Sequence, residues 1–139
     1  MYSKDMLIGI LLSRSKMDFH IEKADDALLG YRVRLNLILR AEEDFLLATQ
    51  RSLLQHGIQS KYHALEHKAR AKPILKIGGI KNLFKITELV PKLPDAKGEW
   101  IVFRQLVELI SEGQHRTADG FDKILELKGN TNHRENRNR

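Results

Sequence analysis

Two sets of side chains in this sequence have types and spacings that can do chemistry. The larger set is cationic and amide-bearing: Lys16 and His20, then Arg32, Arg34 and Asn36 at alternate positions, then Lys68, Arg70, Lys72 and, beyond Ile74, Lys76. Alternate spacing puts such residues on one side of an extended strand. With a formal net charge of +6 and a pI near 9.7, a surface of this kind favours a polyanion, most simply nucleic acid, because released counterions drive the association. The same charge also suits a basic protein that has no such partner. The smaller set is His63, Glu66 and His67. The two histidines are four apart, but the segment reads as strand or loop and has no His-Glu-x-x-His pattern, so no metal site is assigned. Gly78-Gly79 lacks the Lys-Ser/Thr ending of a phosphate loop and reads as a break between strand and helix. The sequence has no cysteine, which excludes zinc fingers, cysteine nucleophiles and disulfide scaffolds.

The elements that must position these residues follow from periodicity. The run from Met6 to Ser15 is an apolar helix with Gly9 and Ser13 one turn apart on one face, small enough there for a second helix, of this chain or another, to approach closely. It is too short to span a bilayer and has no signal-cleavage pattern, so the expectation is a soluble intracellular protein of cytoplasm or organelle, with no membrane partner. Residues 16–23 alternate, with Met17, Phe19 and Ile21 against Lys16, Asp18, His20 and Glu22. Residues 31–39 alternate again, with Tyr31, Val33, Leu35, Leu37 and Leu39 inward and Arg32, Arg34, Asn36 and Ile38 outward, leading to Arg40. Together they make a hairpin with an apolar and a basic side.

A helix opens at Glu42, Glu43 and Asp44, buries Phe45, Leu46, Leu47, Leu53 and Leu54, and closes at Gly57. A second hairpin is expected over 58–77, with Ile58, Tyr62, Ala64, Leu75 and Ile77 inward. The other face of its second strand would carry Lys68, Arg70, Lys72 and Lys76, with Pro73 at an edge or bulge. Three helices follow. One runs from Ile80 to a stop at Pro91. After a turn at Leu93-Pro94-Asp95, the next runs from Glu99 to Gly113 around Trp100, Phe103, Leu106, Val107 and Ile110. The last is capped by Thr117 around Phe121, Ile124 and Leu125. Residues 1–129 read as one domain and 130–139 as a basic tail expected to be disordered. The order is αββαββα plus two helices, an α+β layout with helices on one face of a four-stranded antiparallel sheet.

Residues 9–15, Gly-Ile-Leu-Leu-Ser-Arg-Ser, resemble the signature helix of the LAGLIDADG homing endonucleases in its Gly-Leu-Leu-Leu-Ser-Asp-Gly variant. Residues 75–83 are similar to that family's strand-to-helix junction, and residues 115–128 to its C-terminal His, Thr, Gly and Ile-containing helix. The order of elements is that of the family's half-domain, so the resemblance covers nearly the whole chain. It implies a homodimer with two signature helices side by side, Gly9 and Ser13 in the crossing. It also implies a sheet face in the major groove of double-stranded DNA, carried over by position to Lys16, His20, Arg32, Arg34, Asn36, Lys68, Arg70, Lys72 and Lys76. Arginine and asparagine can bond guanine and adenine edges in pairs, and lysine neutralises phosphates, so the inventory suits a duplex reader.

Active relatives use Mg2+ held by an acid at the foot of the signature helix. Here Arg14 stands at that position with the wrong charge, and Ser15 departs from the family glycine. No cofactor is expected and no catalytic residue is assigned. Asp5 and Asp18 are the nearby acids. Asp5 reads as a helix-start residue and Asp18 as the partner of a basic sheet neighbour. The expectation is a degenerate, non-cutting DNA-binding dimer. The rivals are a working endonuclease with a displaced carboxylate and an RNA-binding, maturase-like helper of intron splicing. Few aromatic residues on the basic face can stack single-stranded bases, which favours duplex.

Overall fold

The computed structural model describes residues 1–92 and 98–131, with side chains to 129. The expected turn at Leu93-Pro94-Asp95 and residues 132–139 of the expected tail lie outside the described residues. The chain is α+β. Its elements are α1 Lys4–Arg14, β1 Lys16–Lys23, β2 Tyr31–Arg40, α2 Glu43–Gln55, β3 Lys61–His63, β4 Ile74–Gly78, α3 Ile80–Leu89, α4 Glu99–Ser111, a 3-10 turn Gln114–Arg116, and α5 Ala118–Thr131. The four strands form one sheet in the order β1-β2-β4-β3. β2 pairs antiparallel with β4, and β4 antiparallel with β3.

Two compact units make up the chain: Met1–Asp18 with Leu35–Pro91, and Phe19–Arg34 with Lys92–Arg139. In the first, the inward face of the sheet is the apolar side of the period-two pattern. Leu37 faces Ile77 and Leu39 faces Leu75 in the ladder, and all four are essentially inaccessible. Leu7 and Leu11 of α1, Leu46 and Leu53 of α2, and Leu83 and Ile86 of α3 complete this core. Each such leucine or isoleucine stabilises the fold by roughly 1.5–3 kcal/mol relative to an exposed one. Ser3 caps α1, its Oγ accepting the Met6 amide at 3.2 Å. α2 ends as its glycine predicts: Gly57, at φ 73°, lets the Ile58 amide bond back to Leu53 O at 3.0 Å and the Gly57 amide to Leu54 O at 2.9 Å. The buried stripe of α2 differs from the expected one. Leu54 is exposed, whereas Thr49 and Ser52 are buried, each hydroxyl satisfied by the carbonyl one turn back.

The second unit holds the outer parts of β1 and β2 with α4 and α5. Phe103, Leu106, Val107 and Ile124 are its buried side chains, together with Phe19. Thr117 caps α5 as expected, accepting the Gly120 amide at 3.0 Å. Leu125 is exposed rather than buried, and Phe121 stacks on Tyr31 with centroids 5.6 Å apart. α5 runs to Thr131, two residues into the expected tail.

The second hairpin departs most from expectation. β3 has three residues and β4 starts after Pro73, so Lys68, Arg70 and Lys72 are not on a strand. They lie in the connecting loop, where a small turn closes between His67 and Arg70: the His67 amide meets Arg70 O at 3.2 Å and the Arg70 amide meets His67 O at 3.0 Å. Pro73 lacks the amide that would extend the ladder, and these turn bonds satisfy the backbone without it.

Candidate nucleic-acid interface

In the first unit, the register sets which side chains share the sheet face away from the core. Asn36 is paired with Gly78, Ile38 with Lys76 and Arg40 with Ile74. On the other side of β4, Lys61 is paired with Lys76 and His63 with Ile74. Directly opposed residues point the same way, so Lys61, His63, Lys76, Asn36 and Arg40 form one polar, mainly basic row. Lys61, His63 and Arg40 are additions to the sequence-derived set. Their signal was present: Tyr62 points inward, so its neighbours point outward. Ile38 and Ile74 lie on the same face and are buried, at 8% and 4% exposed.

The 64–73 loop meets this face at a hollow that Ile38 and Ile74 line with Glu66 and His67, and Glu66 anchors it. Glu66 accepts two hydrogen bonds from Arg40, from Nε at 2.6 Å and from Nη2 at 2.7 Å, a bidentate pair. Arg70 Nε stands 3.0 Å from the same carboxylate, as an ion pair without a hydrogen bond. The Glu66 amide also donates to Lys72 O at 2.9 Å. The Arg40 bonds, with the fields of nearby Arg70 and His67 assisting, hold the Glu66 carboxyl down to about 2, against the smaller opposing effect of burial. Arg40 is correspondingly raised, chiefly by its hydrogen bonds to Glu66, with Asp18 adding to the field. Asp18 thus acts on a basic sheet residue, as its position in β1 suggested. Arg70 belongs to this ion-paired cluster, while Lys68 and Lys72 are exposed loop cations.

At the Asn36 end of the face, a cleft of about 640 Å³ opens between α2 and the start of α3, with Arg51, Lys61 and Lys76 as its cations. Gly78-Gly79 is the break between strand and helix that the sequence indicated, Gly79 adopting φ 86° ahead of α3. Asn82 secures it, donating from Nδ2 to Gly78 O at 2.9 Å and accepting the Gln59 amide at 3.0 Å.

Lys16, also in this unit, is exposed at the first position of β1. In the second unit, Arg32, Arg34 and His20 are exposed strand residues. Arg34 Nε bonds Glu22 at 2.9 Å and Arg32 Nη2 bonds Asp26 at 3.1 Å. These pairs are open to solvent, where such bridges contribute about 0–1 kcal/mol, so a phosphate or base edge can replace the acid at little cost.

On α1, Leu7, Ile10 and Leu11 face the core, while Gly9 and Ser13 lie on the exposed side with Met6 and Leu12. A Cβ added at Gly9 would meet nothing within 4 Å, so among the described residues no helix crosses there. α1 is therefore buried on one side only, although its sequence is apolar along most of its length. Ser13 Oγ donates to Gly9 O at 2.6 Å, which keeps the hydroxyl on its own helix. Arg14 ends α1 with its guanidinium 5.5 Å from the Phe45 ring centroid, a cation–π contact. A guanidinium donates only and cannot ligate a cation. Among the described residues no three His, Asp or Glu side chains are gathered to hold a metal; His63, on β3, and His67, in the loop turn, line one hollow of about 310 Å³. The side chains at the foot of α1 therefore do not fit the divalent cation that the sequence resemblance implies. No helix among the described residues is long and apolar enough to cross a membrane.

No family model and no curated protein matches the sequence. Solved structures match its fold over nearly the whole chain. The homing endonuclease I-TnaI aligns with a TM-score of 0.76 at 19% identity, over 94% of this chain and 88% of that one. The archaeal intron-encoded homing endonuclease I-Vdi141I, complexed with DNA, aligns at 0.73 and 16% identity, over 89% and 78%. The LAGLIDADG homing endonuclease I-LtrWI, bound to target DNA, aligns at 0.70 and 19% identity, over 91% of this chain but only 45% of that one.

Proposed function

We propose that this chain, which has the LAGLIDADG homing-endonuclease fold, binds double-stranded DNA as a homodimer and does not cut it. The observation that carries the reading is the outward sheet row of Asn36, Arg40, Lys61, His63 and Lys76 in the first unit. Glu66, the acid of the loop over this row, is matched by two arginines. Arg32, Arg34 and His20 in the second unit, with loop residues Lys68 and Lys72, extend the cationic inventory. Such a set can neutralise phosphates and bond guanine and adenine edges. Proteins of this fold have been solved with DNA.

Two features support the dimer. The exposed side of α1, with Gly9 open and Met6 and Leu12 beside it, suits a second α1. The chain also spans about 45% of I-LtrWI, so two copies supply a comparable length. Loss of cutting follows from Arg14, which replaces an acid with a cation where phosphodiester hydrolysis needs metal-holding carboxylates.

Selection from a mixed pool of random duplex DNA and RNA, then a salt series on the selected duplex, tests the reading. The wild type should bind duplex with a steep salt dependence, each phosphate contact adding about 0.9 to the log-log slope. Arg34→Ala should relax base preference, and Lys72→Ala should weaken all sequences alike. No cleavage should appear in Mg2+ or Mn2+. Metal-dependent cutting abolished by Asp18→Asn or Asp5→Asn would establish an active endonuclease instead. Preferential recovery of RNA would favour the maturase-like alternative.

A further inference from the structure

We propose that Glu66 is a positioning residue that holds Arg40, with Arg70 beside it, in the orientation that reads a guanine-containing base step, an inference that rests on the duplex-binding reading above. Three observations lead to it. Glu66 is the deepest of the three charged groups, its side chain 14% exposed against 34% for Arg40 and 39% for Arg70. The acid is thus the most enclosed of the three, and each arginine keeps part of its side chain open to solvent. A carboxylate that merely competed with phosphate would be the outermost group.

The second observation is which hydrogens Glu66 takes. It accepts from Arg40 Nε and from one hydrogen of Nη2. A guanidinium has five N–H donors in a rigid plane, so the Nη1–Nη2 edge keeps two parallel donors. That edge matches the O6 and N7 acceptors of guanine in the major groove. An arginine held on one edge has little freedom to lose when the other edge binds, which is the benefit of preorganisation.

The third observation is that the support is itself rigid. Glu66 is tied through its amide to Lys72 O, and Arg70 through both backbone groups to His67. Beneath them, Ile38 and Ile74 form a buried apolar floor in a hollow of about 310 Å³ that Arg40 and Glu66 also line. Apolar side chains on that side lower the local dielectric and strengthen the Arg40–Glu66 pair.

The test separates positioning from charge. Glu66→Gln removes a negative charge from a basic face, so general electrostatics tightens its binding to every duplex. Positioning makes the opposite prediction for discrimination. Binding is measured at one salt concentration to the duplex selected from a random pool and to a random-sequence duplex of equal length. In Glu66→Gln, affinity for random duplex should hold or rise while the selected-to-random ratio falls about 5- to 150-fold, the range for one bidentate base contact. Arg40→Lys, which keeps the charge and loses the fork, should lower the ratio similarly, and the double variant should lose no more than either alone. Glu88→Gln, which removes the same charge from an exposed site on α3, should leave the ratio unchanged. If Glu66→Gln tightens both duplexes equally, Glu66 is only a competitor for phosphate and the proposal is wrong. Should Glu66→Gln fail to fold, an unchanged ratio in Arg40→Lys overturns it equally. A wild type that binds no duplex overturns both the proposed function and this inference, whereas a binding wild type with insensitive variants overturns this inference alone.

Discussion

Asn36 Oδ1 lies 2.5 Å from the point where a Cβ on Gly78 would stand, the two residues being partners across β2 and β4. Glycine at 78 is what lets the Asn36 amide lie across the ladder on the outward face. The clash is with the end of a short side chain, not with backbone, so the amide can rotate away. Gly78→Ala should therefore change stability by less than about 1 kcal/mol, a rotamer adjustment, yet relax base preference as much as Asn36→Ala does. Combining the two should add nothing. A Gly78→Ala protein with wild-type preference would mean Asn36 does not contact bases.

Gly9→Leu separates packing within the chain from packing between copies. A side chain at Gly9 enters open space, and leucine is the better helix former by up to about 1 kcal/mol. The variant should stay folded, at least as heat-stable as a dilute wild type, and sediment as a monomer where the wild type sediments as a dimer. A dimeric variant, or a wild type that is monomeric at high concentration, would remove the pairing of α1 helices.

The Glu66 carboxyl is held at about 2, below its ordinary 4.5. A depressed carboxyl binds its proton more readily in the unfolded chain, so its contribution is complete above pH 4.5 and is lost as pH falls through about 2. Denaturation midpoints of wild type and Glu66→Gln should differ most above pH 4.5 and converge toward pH 2. A gap independent of pH would show that the Arg40 pair does not survive in solution.

Arg14→Asp reverses the charge at the foot of α1. An acid in the last turn opposes the helix dipole at about 0.3–1 kcal/mol, and the Phe45 contact is lost as well. In a dimer the two carboxylates would also approach each other. The variant should melt below wild type and regain stability as Mg2+ or Ca2+ is titrated in, by mass action on the folded state. Wild type should show no such rise. A variant insensitive to divalent cation would mean that the ends of two α1 helices do not meet.

Much of this fold was legible in the sequence because the signals were local. The alternation of Leu35, Leu37 and Leu39 set the inward face of β2, Gly57 ended α2, and Thr117 capped α5, each within a few residues of backbone. The αββαββα order followed from such signals. So did the resemblance, whose fold the solved structures bear out.

Tertiary structure alone decided the charged surface. The row Lys68, Arg70, Lys72 and Lys76 alternates in sequence as a strand would, yet only Lys76 is on one. Alternation implies a face only where a ladder holds the backbone extended, and Pro73 with the His67–Arg70 turn ends the ladder first. Nor could the sequence pair Glu66 with Arg40, 26 positions away. Periodicity is a property of a segment's own backbone, whereas an ion pair depends on which distant segments the fold brings within 3 Å, and Coulomb attraction carries no record of position along the chain.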